Sequence, residues 1–312
     1  MSELFNIWEK PKTEDVVLLA GWRQWADGGA VSSGMPRYIA ELNNARKIGE
    51  LNPDGYYIFQ LPGAQQFLRP IVRHNDGVSE SLQTHKNEFF YAEIDGKGVV
   101  FFLGDEPHMD AERYSRAFLE ACKTLNVRKI VQFGGVYAQV PYDRNRHIHG
   151  IISLPRLRKD LDDLVIEPSN YQGPSSIGSY INKRAGEINL EAIGLYAFCP
   201  IYQFGGLEDT NKTIHIENDY LAWLNVMERV GHMLDIKFDL SDLENLSENL
   251  IEKIHTKVIE LDEKYPELRI EEFMRRLRGD FEERSFSPLD DIWEDSLRRL
   301  GDQFFPSDEE EE

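Results

Sequence analysis

The sequence predicts an α/β protein: a three-layer α/β/α body with a mostly parallel central sheet, followed by a helical C-terminal extension. Short apolar runs alternate with amphipathic stretches through the first two thirds of the chain. One such stretch, 111–125, lies between the apolar runs 99–103 and 129–133, the arrangement of a parallel βαβ crossover. Beyond Ile214 the apolar residues step by three and four, which predicts helices.

Strands are predicted at 16–20, 47–51, 67–73, 88–93, 99–103, 129–133, 148–153 and 192–198. Several are unbroken apolar runs, as strands covered on both faces should be. The stretch 67–93 holds two extended segments with no helix between them, so a local antiparallel hairpin is expected there. Helix 111–125 carries Tyr114, Ala117, Phe118, Ala121, Cys122 and Leu125 on one face, with Asp110 as its cap. Tyr220, Leu221, Leu224, Val226, Met227, Val230 and Leu234 line the next helix. Leu243, Leu246, Leu250, Ile254, Val258 and Leu261 line a longer one, which Pro266 interrupts. Ile270, Phe273, Met274, Leu277 and Phe281 form a further stripe. Ser287-Pro288 predicts the start of a last short helix, and Glu309–Glu312 a solvated end.

Hydrophobic residues are 41% of the 312 and aromatics 11%, enough for a substantial core. No run reaches the roughly 18 apolar residues that cross a bilayer, and the first residues lack the basic and apolar regions of a secretory signal. A cytoplasmic protein without a membrane partner is expected. The net charge of −20 argues against a nucleic-acid partner, since a phosphate backbone needs a basic footprint. Residues 239–312 hold 24 acidic and 10 basic side chains, a net of −14, against −6 for the first 238. The expected division is a body over 1–238, a helical extension over 239–305 and an acidic tail over 306–312. Cys122 and Cys199 stand far apart in no ligand spacing and read as small buried apolar residues.

Two glycine-bearing segments follow predicted strands. Gly21-Trp22 leads to Asp27-Gly28-Gly29 before a helix, where backbone N–H groups are able to meet an anion or a partner. The spacing is not the dinucleotide fingerprint, and no Walker lysine follows. The simpler reading is a tight strand-to-helix turn. Gly134, Gly135, Tyr137, Pro141 and Arg144 follow the central run 129–133, at the edge where open α/β sheets gather ligands. No Ser, Cys or Lys nucleophile accompanies them with a base beside it, so a structural or interface role is favoured. His147 and His149, two apart, lack the acids or cysteines of a metal set. Gly104-Asp105-Glu106-Pro107-His108 ends another strand at the same edge. No catalytic residue, metal or cofactor is expected.

Leu19-Ala20-Gly21-Trp22, Asn52-Pro53-Asp54, Arg69-Pro70, Phe89-Phe90, Leu103-Gly104-Asp105-Glu106-Pro107, the run from Phe133-Gly134-Gly135 to Val140-Pro141, and Tyr171-Gln172-Gly173-Pro174 occur in that order. Leu234-Asp235-Ile236-Lys237-Phe238 follows. This order and spacing resemble the second type of proteasome assembly chaperone, in its prokaryotic branch. The resemblance implies a phosphorylase/hydrolase-like α/β/α fold, self-association into a homo-oligomer, and proteasome α-type subunits or another protein complex as partner. It also marks departures. Several such chaperones end in a hydrophobic-tyrosine-any tripeptide, where this sequence ends in four glutamates. Bacterial members often carry histidines where Tyr142 and Ile201 stand. The expected function is therefore a non-catalytic, self-associating, assembly-chaperone-like protein. The alternative is an enzyme or a binder of nucleotides or phosphorylated metabolites, using a cleft between the two glycine segments.

Overall fold

The computed structural model describes residues 4–23, 25–60, 69–204, 213–284 and 286. After a short β1 (Phe5–Ile7), β2 (Val16–Arg23) is buried as far as Trp22, which explains a run apolar on both faces. Its side chains alternate between two cores. Val17 and Leu19 pack with Met35 and Ile39 of α1 (Gly34–Leu42). Val16, Leu18 and Ala20 face the opposite layer.

β3 (Arg46–Leu51) precedes a two-stranded hairpin, β4 (Ile71–Asn75) and β5 (Val78–Gln83), which pairs only with itself among the described residues. β6 (Asn87–Ile94) and β7 (Lys97–Asp105) then rejoin the main sheet. The expected hairpin over 67–93 is thus assembled differently. Its first segment pairs with the polar run Val78-Ser79-Glu80-Ser81, and the segment at 88–93 pairs with β3 and β7 instead.

α2 (Ala111–Thr124) is capped by Asp110, whose carboxylate accepts from Arg113 N at 3.3 Å. Glu112 in its first turn and Lys123 in its last suit the helix dipole. β8 (Val127–Ala138) follows, then β9 (Ile148–Ile152), α3 (Arg158–Asp163), β10 (Glu167–Pro168), α4 (Ile177–Glu187), β11 (Glu191–Gln203) and β12 (Thr213–His215). The last is a strand where the sequence reads as almost wholly helical; it pairs with the end of β11.

The main sheet runs β1-β3-β6-β7-β2-β8-β11-β9-β10, with β12 on β11. Its centre, β7-β2-β8-β11, is parallel, and most of the flanking pairs are antiparallel. The crossover from β7 through α2 to β8 passes over β2, so the two strands are parallel without being neighbours. α1 and α5 (Tyr220–Leu234) cover one face; α2 and α4 cover the other. This is the expected α/β/α sandwich. α6 (Ser241–Lys264), about 36 Å long, and α7 (Ile270–Asp280) complete the described chain. Ile254, Val258, Leu261, Ile270 and Met274 form a third cluster with Tyr142, Tyr202, Ile214 and Ile216. The helix expected after Ser287-Pro288 and the acidic end lie outside the described residues.

Candidate functional site

The carboxyl ends of the central strands bring the two glycine segments together and close them on each other. β8 extends past its apolar run, so Gly134 and Gly135 lie inside a strand, paired with Tyr196 and Ala197. Gly21 likewise lies inside β2. Asp27 forms a bridge to Gly135, and Gly135 N donates to Ala26 O at 2.9 Å. A Cβ on Gly135 would stand 1.8 Å from Gly28 O, so only glycine permits this approach. Gly29 has φ +59°, and its carbonyl accepts from Asp219 N at 2.9 Å and from Trp223 Nε1 at 2.8 Å. Where Gly28 meets Gly135 the two backbones leave no room between them, and a shallow recess remains beside that contact, lined by Trp22, Trp25, Ser32, Glu106, Phe133 and Tyr196.

Beneath this contact lies an ion pair. Arg146 and Asp219 have side chains 1% and 0% exposed, and Arg146 Nε meets Asp219 Oδ2 at 2.8 Å. Nη2 donates to Asp219 Oδ1 and Tyr142 O, both at 3.1 Å, and Nη1 to Pro141 O at 3.0 Å and Arg144 O at 2.7 Å. All five guanidinium donors are used. Asp219 also caps α5, accepting from Ala222 N at 3.1 Å. The Cys199 thiol donates to Gly28 O at 3.4 Å, and burial with the Asp219 charge pushes its pKa well up. It is a core thiol rather than a nucleophile.

The remaining expected residues have equally local partners. Trp22 is a packing residue, between Phe102 and Phe118, with its Nε1 donating to Tyr114 Oη at 2.9 Å. Asp27 accepts from Ser32 N at 3.1 Å, Ser33 N at 2.9 Å and Ser33 Oγ at 2.7 Å. Burial raises its pKa against the pull of those bonds. Tyr137 Oη donates to Ile216 O at 3.0 Å. Pro141 contributes its carbonyl to Arg146. Arg144 is exposed, and among the described residues its side chain pairs with Glu283 at 3.7 Å. Arg146 was the residue the sequence did not single out: in Arg144-Asn145-Arg146 nothing tells which side chain turns inward. Asp219 was legible only as the cap of an apolar helix.

Two further groups sit at this edge. Glu106, its pKa raised by burial, accepts from Ile177 N at 2.7 Å and Trp25 N at 3.1 Å beside a shallow recess with Ser176 and Tyr196. Asp105 accepts from Arg23 Nε at 2.7 Å and Lys86 N at 3.0 Å, and pairs with His85 Nδ1 at 3.2 Å. The His85 ring stacks on Tyr57 at 4.1 Å.

Large apolar side chains share the solvent-facing part of the edge with the charged Arg23, Lys86 and Arg144. Trp25 follows β2, Met109 follows β7, Phe59 comes next in the chain after Ile58, whose N–H donates to His108 Nδ1, and Tyr171 precedes α4. The β4–β5 hairpin projects from the same edge, because β6 begins there with Asn87 opposite Gly104. Trp25, Phe59, Met109 and Tyr171, with Ile71, Val72, Val78 and Leu82 of the hairpin, are each between 46% and 69% exposed.

The profile of the PAC2 family matches residues 22–258. No curated protein matches the chain. Among solved structures it is similar to a Mycobacterium tuberculosis protein of unknown function, with TM-score 0.71, 16% identity and coverage of 89% of this chain and 92% of that one. It is also similar to a proteasome-assembly chaperone homologue of Mycobacterium tuberculosis, with TM-score 0.66, 23% identity and coverage of 79% and 98%. An archaeal proteasome activator from Pyrococcus furiosus aligns with TM-score 0.60, 16% identity and coverage of 81% and 97%. These likenesses carry the fold, and the profile match carries the kinship: over most of its length, the chain belongs to the PAC2 family.

Proposed function

We propose that this protein is a non-catalytic, self-associating subunit that holds other protein subunits during assembly, in the manner of an assembly chaperone. The observation that carries the reading is the carboxyl edge itself. Its glycine segments meet backbone to backbone and the buried Arg146 and Asp219 are paired, while large apolar side chains beside it and on the β4–β5 hairpin stay in solvent. A surface of that kind gains free energy by being covered, at roughly 25 cal/mol for each Å² of apolar area removed from water. The family, and relatives described as a chaperone homologue and a proteasome activator, favour a proteasome-type partner such as α-type subunits.

The test is co-purification of the full chain from its own cells, in parallel with a Trp25→Ala/Phe59→Ala variant, together with sedimentation of both. Proteasome subunits that are recovered with the wild type and lost from the variant support the reading. Their equal recovery with both proteins, or a strictly monomeric wild type, contradicts it.

The enzyme reading has one observation on its side, the pairing of His85 with Asp105, which would orient a general base. Among the described residues no hydroxyl or thiol is bonded to His85 as a nucleophile would be. Turnover of any metabolite that His85→Ala abolishes would decide for that reading.

A further inference from the structure

His147 and His149 lead to a second place on the molecule, away from the glycine contact. They line a recess with Arg146, Glu167, Arg229 and Arg284. The charges here do not cancel. Arg146 is matched by Asp219. Glu167 is countered twice, by His149 Nε2 at 3.1 Å and by Arg284. His147 Nε2 donates to Glu282 O at 2.7 Å. Arg229, 2% exposed on α5, has no carboxylate within ion-pair distance among the described residues.

Its hydrogen bonds are incomplete as well. Arg229 Nε donates to Leu164 O at 3.0 Å and Nη1 to Asn225 O at 2.8 Å, which uses two of five donors. Nη2 has no protein partner among the described residues. The Phe286 ring lies 4.9 Å from the guanidinium, an aromatic face that accepts no N–H bond of ordinary strength. Burial pushes the Arg229 pKa down to about 10, against the pull of the neighbouring Glu228 charge, which lies beyond ion-pair distance. A buried charge is stable when it is paired, and a guanidinium fork with free N–H groups matches an oxyanion.

We propose that this recess binds a small oxyanion, a phosphate or a carboxylate, with Arg229 as the principal donor and Arg284 as the second. The site would join α5 to the segment after α7. That segment already touches the recess through Phe281 stacked on His147 at 4.4 Å, Arg284 on Glu167 and Phe286 on Arg229. Binding therefore fastens the segment that carries Phe281, Arg284 and Phe286 to the body.

Calorimetric titration of the full chain with inorganic phosphate, acetate and chloride, at matched ionic strength and pH 7, tests the assignment. Saturable binding of one equivalent of phosphate or of acetate, but not of chloride, is expected, and whichever binds identifies the source. Arg229→Lys and Arg284→Gln should each weaken it at least tenfold. Arg284 is 41% exposed in its side chain, so its variant keeps the core and decides the matter if Arg229→Lys does not fold. Absence of saturable binding by either oxyanion, or unchanged affinity in Arg284→Gln, would overturn the proposal.

Discussion

Replacing Arg146 by methionine tests the account of the buried edge in a single step. The substitution keeps the side chain's bulk and removes five hydrogen bonds, leaving Asp219 with side-chain exposure of 0% and no cation beside it. Breaking a buried pair by removing one partner costs about 3–5 kcal/mol, because the surviving charge is stranded. With a urea slope of about 3 kcal/mol per molar, the midpoint should fall by about 1 M or more. Arg144→Met, two residues away, removes an exposed cation whose ion pair spans 3.7 Å, worth at most about 1 kcal/mol. Adding Asp219→Asn to Arg146→Met should recover part of the loss, since asparagine removes the stranded charge and still caps α5. Urea unfolding followed by tryptophan fluorescence reads all four proteins. Equal midpoints for the Arg146 and Arg144 variants would refute the reasoning.

Gly135→Ala drives a methyl group to 1.8 Å from Gly28 O and should lower stability by about 1–3 kcal/mol, read by the same unfolding experiment; a neutral outcome would mean the segments are not in contact. Asp27→Asn keeps all three hydrogen bonds, with Ser33 Oγ now accepting. The folded state raises the Asp27 pKa and so binds its proton more tightly than the unfolded chain. The contribution of Asp27 to stability is thus expected to fall as pH rises above the ordinary Asp value of 3.8, so in a pH series of melting temperatures the Asn variant should gain on the wild type over that range. Replacing the hairpin 71–83 by a short turn should leave thermal unfolding of the body unchanged, since every residue of β4 and β5 is exposed, and should weaken self-association measured by sedimentation.

The sandwich was legible where burial on both faces imposes an unbroken apolar run, as in β2, and where a cap precedes a clear stripe, as in α2. It was illegible where packing overrules local preference. β8 continues through Gly134-Gly135, residues that weaken a strand by propensity and are tolerated here because Tyr196 and Gly28 need the room. β5 is polar and alternates too weakly to announce itself. The crossover order, with β2 inserted between β7 and β8, follows from pairing across the sheet rather than from the chain between them. At the edge, the glycines of the two segments were visible but their mutual contact was not. It joins residues far apart in sequence, and so does the Arg146–Asp219 pair under it.

Hydroxyl-radical footprinting of the full chain, assembled and diluted to its smallest species, bears most directly on whether this edge receives protein. Protection of Trp25, Phe59, Met109 and Tyr171 should appear on assembly and vanish on dilution, while Trp22 stays protected throughout. Equal labelling of those four residues in both states would contradict the account.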